Sequence, residues 1–257
     1  MSVVKMIDNL RVEVHPNRDE MGRAAAIAAA KALNAAIAEK GEARAVFASA
    51  ASQSDFLRHL CQEDIDWSKV TGFHQDEWVG VSMDKEYCFG WFIKKYLFDL
   101  VNPGTVHYLD GTAADMEAEC ARYAELLTEK PVDLIVLGVG ENGHIAFNEP
   151  HEADFNDPKV MKIMTLDEKC RIQQKNDFKF ASMDDVPTNG VTVTIPFIMS
   201  VENVITVVPT VRKAEAIAEA LTGQIWEKCP ASILRQKEGA ILYLDTDSAS
   251  ETSILNS

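Results

Sequence analysis

The sequence has no surplus of basic residues. It carries 25 lysine and arginine residues against 40 aspartate and glutamate residues, so its formal net charge is −15 over 257 residues. Binding to nucleic acid or to an anionic membrane surface needs clustered positive charge, and this composition opposes both. We therefore expect neither nucleic acid nor membrane among the partners. An anionic ligand is expected only where a few donors are concentrated.

Cysteine and metal-binding motifs are also scarce. The five cysteines are odd in number and none is spaced as C-x-x-C, which argues against a disulfide framework or zinc knuckle and favours a reducing compartment. The six histidines show no H-E-x-x-H spacing, so we expect no metal and no cofactor. No apolar run approaches the ~20 residues of a membrane helix, and the N-terminus lacks the apolar core of a signal peptide. These absences predict a cytoplasmic protein. A homo-oligomer is compatible with the sequence.

Apolar residues, by contrast, make up 47% of the chain and fall in two kinds of segment. Short runs rich in β-branched residues predict buried strands: ARAVFA, KVTGFH, DLIVLGVG, VTVTIP, NVITVVP and AILYLD. Longer segments predict helices between capping and breaking residues: 18–40 ending at Gly41, 112–130 with Thr112 as N-cap and Pro131 beyond, and 210–222 between Pro209 and Gly223.

Strands that alternate with helices predict an α/β fold. We expect a three-layer, doubly wound and mostly parallel sheet with helices on both faces (Rossmann-like), in a single domain over residues 1–257. In such folds ligands bind at the carboxyl ends of the strands. The residues that follow each apolar run are therefore the candidate site residues.

Two of these strand ends predict an anion site. After ARAVFA, small polar residues lead into a helix, where backbone N–H groups and the helix dipole favour an anion; an ordinary capped helix start is the alternative. After NVITVVP, Lys213 lies in the first turn of a helix, where a cation is unfavourable unless it meets an anion; an exposed surface lysine is the alternative. The candidate anion loop comprises Ser49, Ala50, Ala51, Ser52, Gln53 and Ser54.

The other two strand ends offer acid–base groups. Asp76 and Glu77 follow KVTGFH, and a carboxylate in a cleft there could act as a general base, although solvated loop charges are more usual. The stretch GVGENGHIAFNEP matches G-x-G-x-x-G, but a dinucleotide turn needs its third glycine at the start of a helix, and the proline and polar residues beyond oppose one. We interpret it as a glycine-bordered loop that presents Asn142, His144 and Glu149. The carboxylate would orient the imidazole and support its charged state.

This set of groups suits proton transfer on a small phosphorylated compound. With these segments the chain resembles the glucosamine-6-phosphate deaminase (isomerase) family, which shares its fold with 6-phosphogluconolactonases. GHIAFNEP is the most specific part of the resemblance, and DEWVG and RKAEAI add to it. The resemblance implies conversion of glucosamine 6-phosphate, or a related 2-amino-2-deoxyhexose 6-phosphate, to a ketohexose 6-phosphate and ammonia, without a metal.

The resemblance also implies roles for the matching residues. Asp76 matches the base that moves a proton between C2 and C1 of the open-chain sugar. His144 matches the acid/base that opens the pyranose ring, and Glu149 matches its orienting partner. Lys213 and the loop 49–54 match the phosphate site.

Three departures from the family pattern are visible. The loop reads SAASQ where the family is glycine-rich, and alanine is strained at positive φ, so a different loop shape is expected. Asn142 stands where the best-known members have aspartate, and an amide carries no charge. Gln174, with Lys175 beside it, stands where they have a phosphate-binding arginine, which removes a charge-assisted contact. These departures leave the preferred sugar open.

Two alternative functions remain at this stage. The fold and the Gly-His loop permit a 6-phosphogluconolactonase-like hydrolase, but the pair Asp76–Glu77 and the ending 147–150 favour the deaminase. The same fold could serve a sugar-phosphate sensor that regulates transcription. Too few residues precede the first strand for a DNA-binding helix-turn-helix, and the net charge of −15 opposes DNA contact.

Overall fold

Strands and helices alternate along most of the chain, as a computed structural model shows for residues 2–178 and 180–256. The strands are β1 (Val3–Ile7), β2 (Leu10–His15), β3 (Ala43–Phe47), β4 (Val70–His74), β5 (Asp76–Trp78), β6 (Thr105–His107), β7 (Leu134–Leu137), β8 (Met161–Thr165), β9 (Asn189–Val193), β10 (Asn203–Val208) and β11 (Ile241–Asp245). The α-helices are α1 (Arg18–Lys40), α2 (Ser54–Leu60), α3 (Phe89–Ile93), α4 (Asp99–Val101), α5 (Met116–Thr128), α6 (Glu168–Phe178), α7 (Ile195–Ser200) and α8 (Ala214–Thr222).

The main sheet has eight strands in the order β1-β2-β11-β10-β7-β3-β4-β6. All neighbouring pairs are parallel except β1 and β2, which form an antiparallel hairpin at one edge. Five of the six predicted strand runs lie in this sheet. The sixth, VTVTIP, forms β9 in a separate sheet of order β5-β9-β8, in which both neighbouring pairs are antiparallel.

Side chains of the central strand β7 alternate between two cores. Leu134 and Val136 pack in the core beneath α1 and α2, whereas Ile135 and Leu137 pack in the core that α5 and α8 cover. Each fully buried apolar side chain stabilises the fold by about 1.5–3 kcal/mol. A sheet that is apolar on both faces needs helices on both faces, and the predicted three-layer, doubly wound architecture is confirmed.

The first long helix begins and ends where its capping residues predict. The Asn17 side chain accepts a hydrogen bond from the Glu20 N–H, and Gly41 adopts the left-handed conformation with φ of 81°. That conformation strains residues with a Cβ, so glycine is favoured at this end of the helix. The third predicted helix also has its expected limits, since α8 follows a 3₁₀ turn at Val211–Lys213 and ends at Gly223.

The predicted start of the second helix was wrong. Asp115, not Thr112, is the N-cap of α5, because the Asp115 carboxylate accepts from the N–H groups of Glu117 and Ala118. Thr112 lies in the preceding turn, where its N–H and hydroxyl both donate to the Asp110 carboxylate. Both residue types cap helices, and only the turn geometry distinguishes them.

The four strand ends singled out in the sequence follow four adjacent strands, β10, β7, β3 and β4. Because these strands are parallel, their carboxyl ends open on one edge of the sheet. The small antiparallel sheet begins at this edge with β5. In the described ranges, 2–178 and 180–256, no helix combines the length and the apolar character needed to cross a membrane.

Candidate active site

A cavity of about 520 Å³, its open mouth included, lies at this edge of the sheet. Eight of the predicted site residues line it: Ser49, Ala50, Ser52, Gln53, Asp76, His144, Gln174 and Lys213. Asn142 and Glu149 lie behind His144. Ala51 does not line the cavity, and its side chain is exposed.

Asp76 presents a buried carboxylate to the cavity. It begins β5, where it pairs with Thr192 of β9. Its Oδ2 accepts one hydrogen bond from Gln75 Nε2 at 3.3 Å, and its buried Oδ1 has no hydrogen-bond partner in the part of the chain that the structure describes. Burial, helped by the charge of Glu77, raises the pKa of Asp76 well above its usual range. A carboxylate of raised pKa is a stronger base.

Glu77 points to the opposite face, since side chains alternate along a strand. Its carboxylate is fully occupied by hydrogen bonds that connect β5 to the start of α3. The donors are the N–H groups of Trp78, Phe89 and Gly90, at 2.9, 3.1 and 2.7 Å, and the Cys88 thiol at 3.0 Å. The two adjacent carboxylates therefore differ in their surroundings: Asp76 faces the cavity, whereas Glu77 connects β5 to α3.

The glycines of GVGENGH position the His144 ring. A Cβ on Gly140 would lie 2.2 Å from His144 Cε1, so the ring packs directly on the Gly140 backbone. Gly143 has φ of 85°, which favours glycine, and the Gly140 N–H donates to the His144 carbonyl at 2.8 Å. The glycine spacing thus presents a histidine and does not begin a helix, which agrees with the interpretation of the dinucleotide match as accidental.

The residues after His144 attach the loop to the small sheet. The Phe147 N–H donates to Thr192 Oγ1 at 3.0 Å, and Asn148 Nδ2 donates to the Val193 carbonyl at 2.9 Å. The Phe147 ring packs on Trp78 with a centroid separation of 5.0 Å, and a Cβ on Gly190 would lie 2.6 Å from it. The FNEP ending therefore fixes the loop on which the histidine lies.

Asn142 and Glu149 contact the side of the His144 ring away from the cavity. Asn142 Oδ1 accepts from the His144 N–H at 3.1 Å and lies 2.7 Å from Nδ1. Asn142 Nδ2 donates to Glu149 Oε2 at 2.7 Å, and Glu149 Oε1 lies 3.4 Å from His144 Nδ1. Burial, and then the charge of Lys213, lowers the pKa of His144, while burial raises the pKa of Glu149. Burial thus opposes the charged imidazole expected from the sequence.

The candidate anion loop contains no residue with positive φ, although its alanines suggested an altered shape. Ala50 is extended, with φ of −145°, and a 3₁₀ turn at Ala51–Gln53 leads into α2. Gln53 Nε2 donates to the Val207 carbonyl at 3.1 Å. The Gln53 Oε1 and Ser49 Oγ atoms are buried without a hydrogen-bond partner in residues 2–178 and 180–256. Both residues line the cavity, and the Ser49 hydroxyl is the one of the two groups that can donate to an anion.

Lys213 supplies the positive charge of this end. Its side chain is only 6% exposed, and burial lowers the pKa of Lys213 to about 8. It is the one lysine or arginine among the described lining residues, because Arg212 pairs with Glu141 and Asp177 instead. Gln174 lines the cavity uncharged, and Lys175 lies outside the lining.

Several residues of the site carried no signal in the sequence. Gln75, Phe89, Gln173 and Asp177 line the cavity, and Asp167, at the start of α6, contacts Asn142. Cys170 lies with His144 and Glu149 in a group whose ligand atoms are within 4.8 Å of one another and could hold a metal ion, as could Glu149, His151 and Asp167. A metal at either place would compete with the hydrogen bonds from Asn142 to Glu149 and Asp167. Cys170 and Asp167 are distant from His144 in sequence, so no short motif contains either set.

Comparison with known proteins identifies the family of this chain. A family model described as glucosamine-6-phosphate isomerases/6-phosphogluconolactonase matches residues 16–243. A glucosamine-6-phosphate deaminase of Bacillus cereus (strain B4264) is 36% identical over 203 residues, which cover 79% of this chain and 76% of the relative.

Solved structures show the same fold. A monomeric glucosamine-6-phosphate deaminase superposes with a TM-score of 0.86 at 28% identity, covering 93% of this chain and 99% of the other. A 6-phosphogluconolactonase from Trypanosoma brucei has a TM-score of 0.78 at 18% identity and covers 97% and 99%. With the family model matching most of its length, this chain belongs to the family of glucosamine-6-phosphate isomerases and 6-phosphogluconolactonases.

Proposed function

We propose that this protein is an amino-sugar phosphate deaminase. It converts glucosamine 6-phosphate, or a related 2-amino-2-deoxyhexose 6-phosphate, with water to a ketohexose 6-phosphate and ammonia. The observation that carries the proposal is that Asp76 and His144 line one cavity with Lys213, and that Asp76 Oδ1 is buried without a hydrogen-bond partner in residues 2–178 and 180–256. The deaminase relatives are consistent with the same activity.

His144 opens the sugar ring in this proposal. Its neutral imidazole takes the proton of the C1 hydroxyl and gives it to O5 as the C1–O5 bond breaks. The product is the open-chain aldehyde. The burial that lowers the pKa of His144 keeps the imidazole neutral, so that it can accept this proton.

Asp76 then transfers a proton between carbons. It removes the proton from C2, which the neighbouring aldehyde makes acidic, and gives it to C1. The C1 oxygen takes a proton from the C2 ammonium group as the neutral enolamine forms, and protonation of C1 then leaves an iminium at C2. Water adds to that carbon and the C2–N bond breaks, which leaves the ketone and ammonia. The burial that raises the pKa of Asp76 suits a group that both takes and returns a proton.

Lys213 and the hydrogen-bond donors of the anion loop, such as the Ser49 hydroxyl, bind the phosphate. The phosphate is remote from the reacting carbons, so these contacts act mainly on substrate affinity, although remote binding energy can also reach the chemical step. A cytoplasmic location is part of the proposal. It rests on the five cysteines, all of which are free thiols, as expected in a reducing compartment.

The test is an assay for ammonia and ketohexose 6-phosphate from glucosamine 6-phosphate and from its galacto epimer. We expect equimolar formation of the two products from at least one epimer. Absence of product from both sugars would refute the proposal. Hydrolysis of 6-phosphogluconolactone faster than either amino-sugar reaction would instead favour the lactonase.

A further inference from the structure

The orientation of the Asn142 side-chain amide is determined by the His144 backbone N–H, which can only donate a hydrogen bond. The His144 backbone N–H lies 3.1 Å from Asn142 Oδ1. The reverse orientation would place the Asn142 NH₂ against this N–H and the amide oxygen against two carboxylates. The amide nitrogen therefore faces Glu149 Oε2 at 2.7 Å and Asp167 Oδ2 at 2.8 Å.

This orientation determines which nitrogen of His144 carries the proton. Asn142 Oδ1 lies 2.7 Å from His144 Nδ1. An amide oxygen only accepts, so Nδ1 must donate, and a neutral imidazole then has its lone pair on Nε2. Within residues 2–178 and 180–256 no hydrogen bond reaches Nε2, and the ring lines the cavity.

We propose that Asp167 is a positioning residue of the active site, which acts through Asn142 to hold His144 with its proton on Nδ1 and its proton-accepting Nε2 available to the substrate. The inference rests on the proposed function, since it assigns the geometry of the ring-opening base. Asp167 also supplies, one residue farther from the ring, the negative charge that the amide at position 142 lacks.

Asp167 has a second contact that must be separated from this role. Its Oδ1 accepts from the Cys170 N–H at 2.6 Å, which is the contact of a helix cap at the start of α6. Loss of a cap destabilises a helix without involving His144. The two carboxylate oxygens thus have different partners, and a substitution can remove one contact while it keeps the other.

Asp167→Asn makes that separation. Its single oxygen caps the Cys170 N–H, and its NH₂ then meets the Asn142 NH₂, so the contact with Asn142 is lost and the cap is kept. Asp167→Ser also keeps a capping hydroxyl but is too short to reach Asn142. The matched control is Asp115→Asn, which changes the N-cap of α5 away from the cavity.

The first measurement is the ¹⁵N spectrum of the histidine side chains without substrate, with the His144 signals assigned by their loss in His144→Gln. We expect the wild-type protein and Asp115→Asn to show His144 with its proton on Nδ1. Asp167→Asn and Asp167→Ser should show a mixture of the two tautomers. An unchanged tautomer in both Asp167 variants would overturn the proposal, as would an equal change in Asp115→Asn.

The second measurement is turnover of the closed pyranose. Loss of one charge-assisted hydrogen bond should lower kcat by about 10–100-fold in Asp167→Asn, with KM nearly unchanged. The exchange Asn142→Asp with Asp167→Asn restores a donor–acceptor pair between the two positions and should recover part of this loss. A double variant no better than Asp167→Asn, or a loss confined to KM, would contradict the proposal.

The two measurements separate this inference from the proposed function. The tautomer is observed without any reaction. A tautomer shift in a protein that turns over no amino-sugar phosphate would retain the positioning role and refute the deaminase. Normal turnover by the wild-type protein, with an unshifted tautomer in the Asp167 variants, would support the deaminase and refute the positioning role.

Discussion

The two ends of the cavity differ in how their side chains are held. The reacting end comprises Asp76, Asn142, His144 and Glu149. Asn142 connects His144, Glu149 and Asp167 through hydrogen bonds, whereas the Asp76 carboxylate accepts a single hydrogen bond, from Gln75. The anion end comprises the candidate anion loop, Gln174 and Lys213. Within residues 2–178 and 180–256, Ser49 Oγ and Gln53 Oε1 have no hydrogen-bond partner, and Lys213 carries the positive charge.

The difference indicates how each end works. Proton transfer needs groups held in one geometry and one protonation state, and a connected network of buried polar groups provides this. Recognition of a phosphate needs positive charge and hydrogen-bond donors, and the phosphate itself supplies the partner of each donor. Substitutions at the reacting end should therefore change kcat, and substitutions at the anion end should change KM.

The largest effect is expected at Asp76. Asp76→Asn preserves the shape of the residue but removes the base, so kcat should fall by about 10²–10⁴-fold, with solvent deuterium incorporation at C1 falling in parallel. Because the pKa of Asp76 is raised and the base must be ionised, kcat of the wild-type protein should decline as pH falls through that raised pKa. Near-normal turnover of Asp76→Asn would remove the base from the mechanism.

Glu77→Gln is the matched control for Asp76→Asn. An amide cannot accept all four hydrogen bonds that the Glu77 carboxylate accepts, and each buried donor left without a partner costs about 1–3 kcal/mol. We therefore expect a lower free energy of unfolding, measured by urea denaturation. Asp76→Asn should lack this loss of stability, and a similar loss in both variants would contradict the division of roles.

The next effect concerns the ring-opening group. His144→Gln should lower kcat for the closed pyranose by about 10²-fold or more, as expected for loss of a general acid–base group. The open-chain fraction of the substrate does not need this step and should be less affected. The comparison is made by pre-steady-state kinetics, in which the open-chain fraction reacts first. An equal decrease in both phases would argue against a role limited to ring opening.

A smaller effect, on substrate affinity, is expected at Lys213. Lys213→Ala should raise KM by about 10–100-fold, the value of one hydrogen bond to a charged group, with a smaller change in kcat. The lysine is charged below its pKa of about 8, so KM of the wild-type protein should rise as pH increases through that value. Lys213→Arg should lack this rise, since arginine stays charged. A pH-independent KM in the wild-type protein would exclude Lys213 as the phosphate-binding cation.

The smallest effect is expected at Gln174. Gln174→Arg adds a second cation to the lining of the anion end, and KM for the phosphorylated sugar should fall by about tenfold or less because Asp177 lines the same cavity and offsets part of the charge. Lys175→Arg, outside the lining, is the control and should leave KM unchanged. A decrease of kcat in Gln174→Arg without any change of KM would contradict the separation of the two ends.

Local signals in the sequence predicted much of the fold. The limits of α1 followed from Asn17 and Gly41, because capping depends on residues within one turn of the helix end. Thr112 was predicted in place of Asp115 because both are capping residues and lie within one helical turn of each other, so local sequence does not distinguish them. The order of the strands was not predictable, because pairing joins segments far apart in the chain.

By itself, the sequence determined the α/β class, most of the strands and the strand ends at which Asp76, His144 and Lys213 lie. The tertiary structure alone decided that β9 pairs with β5 and β8, that Asp76 faces the cavity while Glu77 does not, and that Asp167 meets Asn142. The physical reason is range. Strand and helix preferences act over a few residues, whereas a hydrogen bond between residues 25 apart exists only after the sheets and loops have packed.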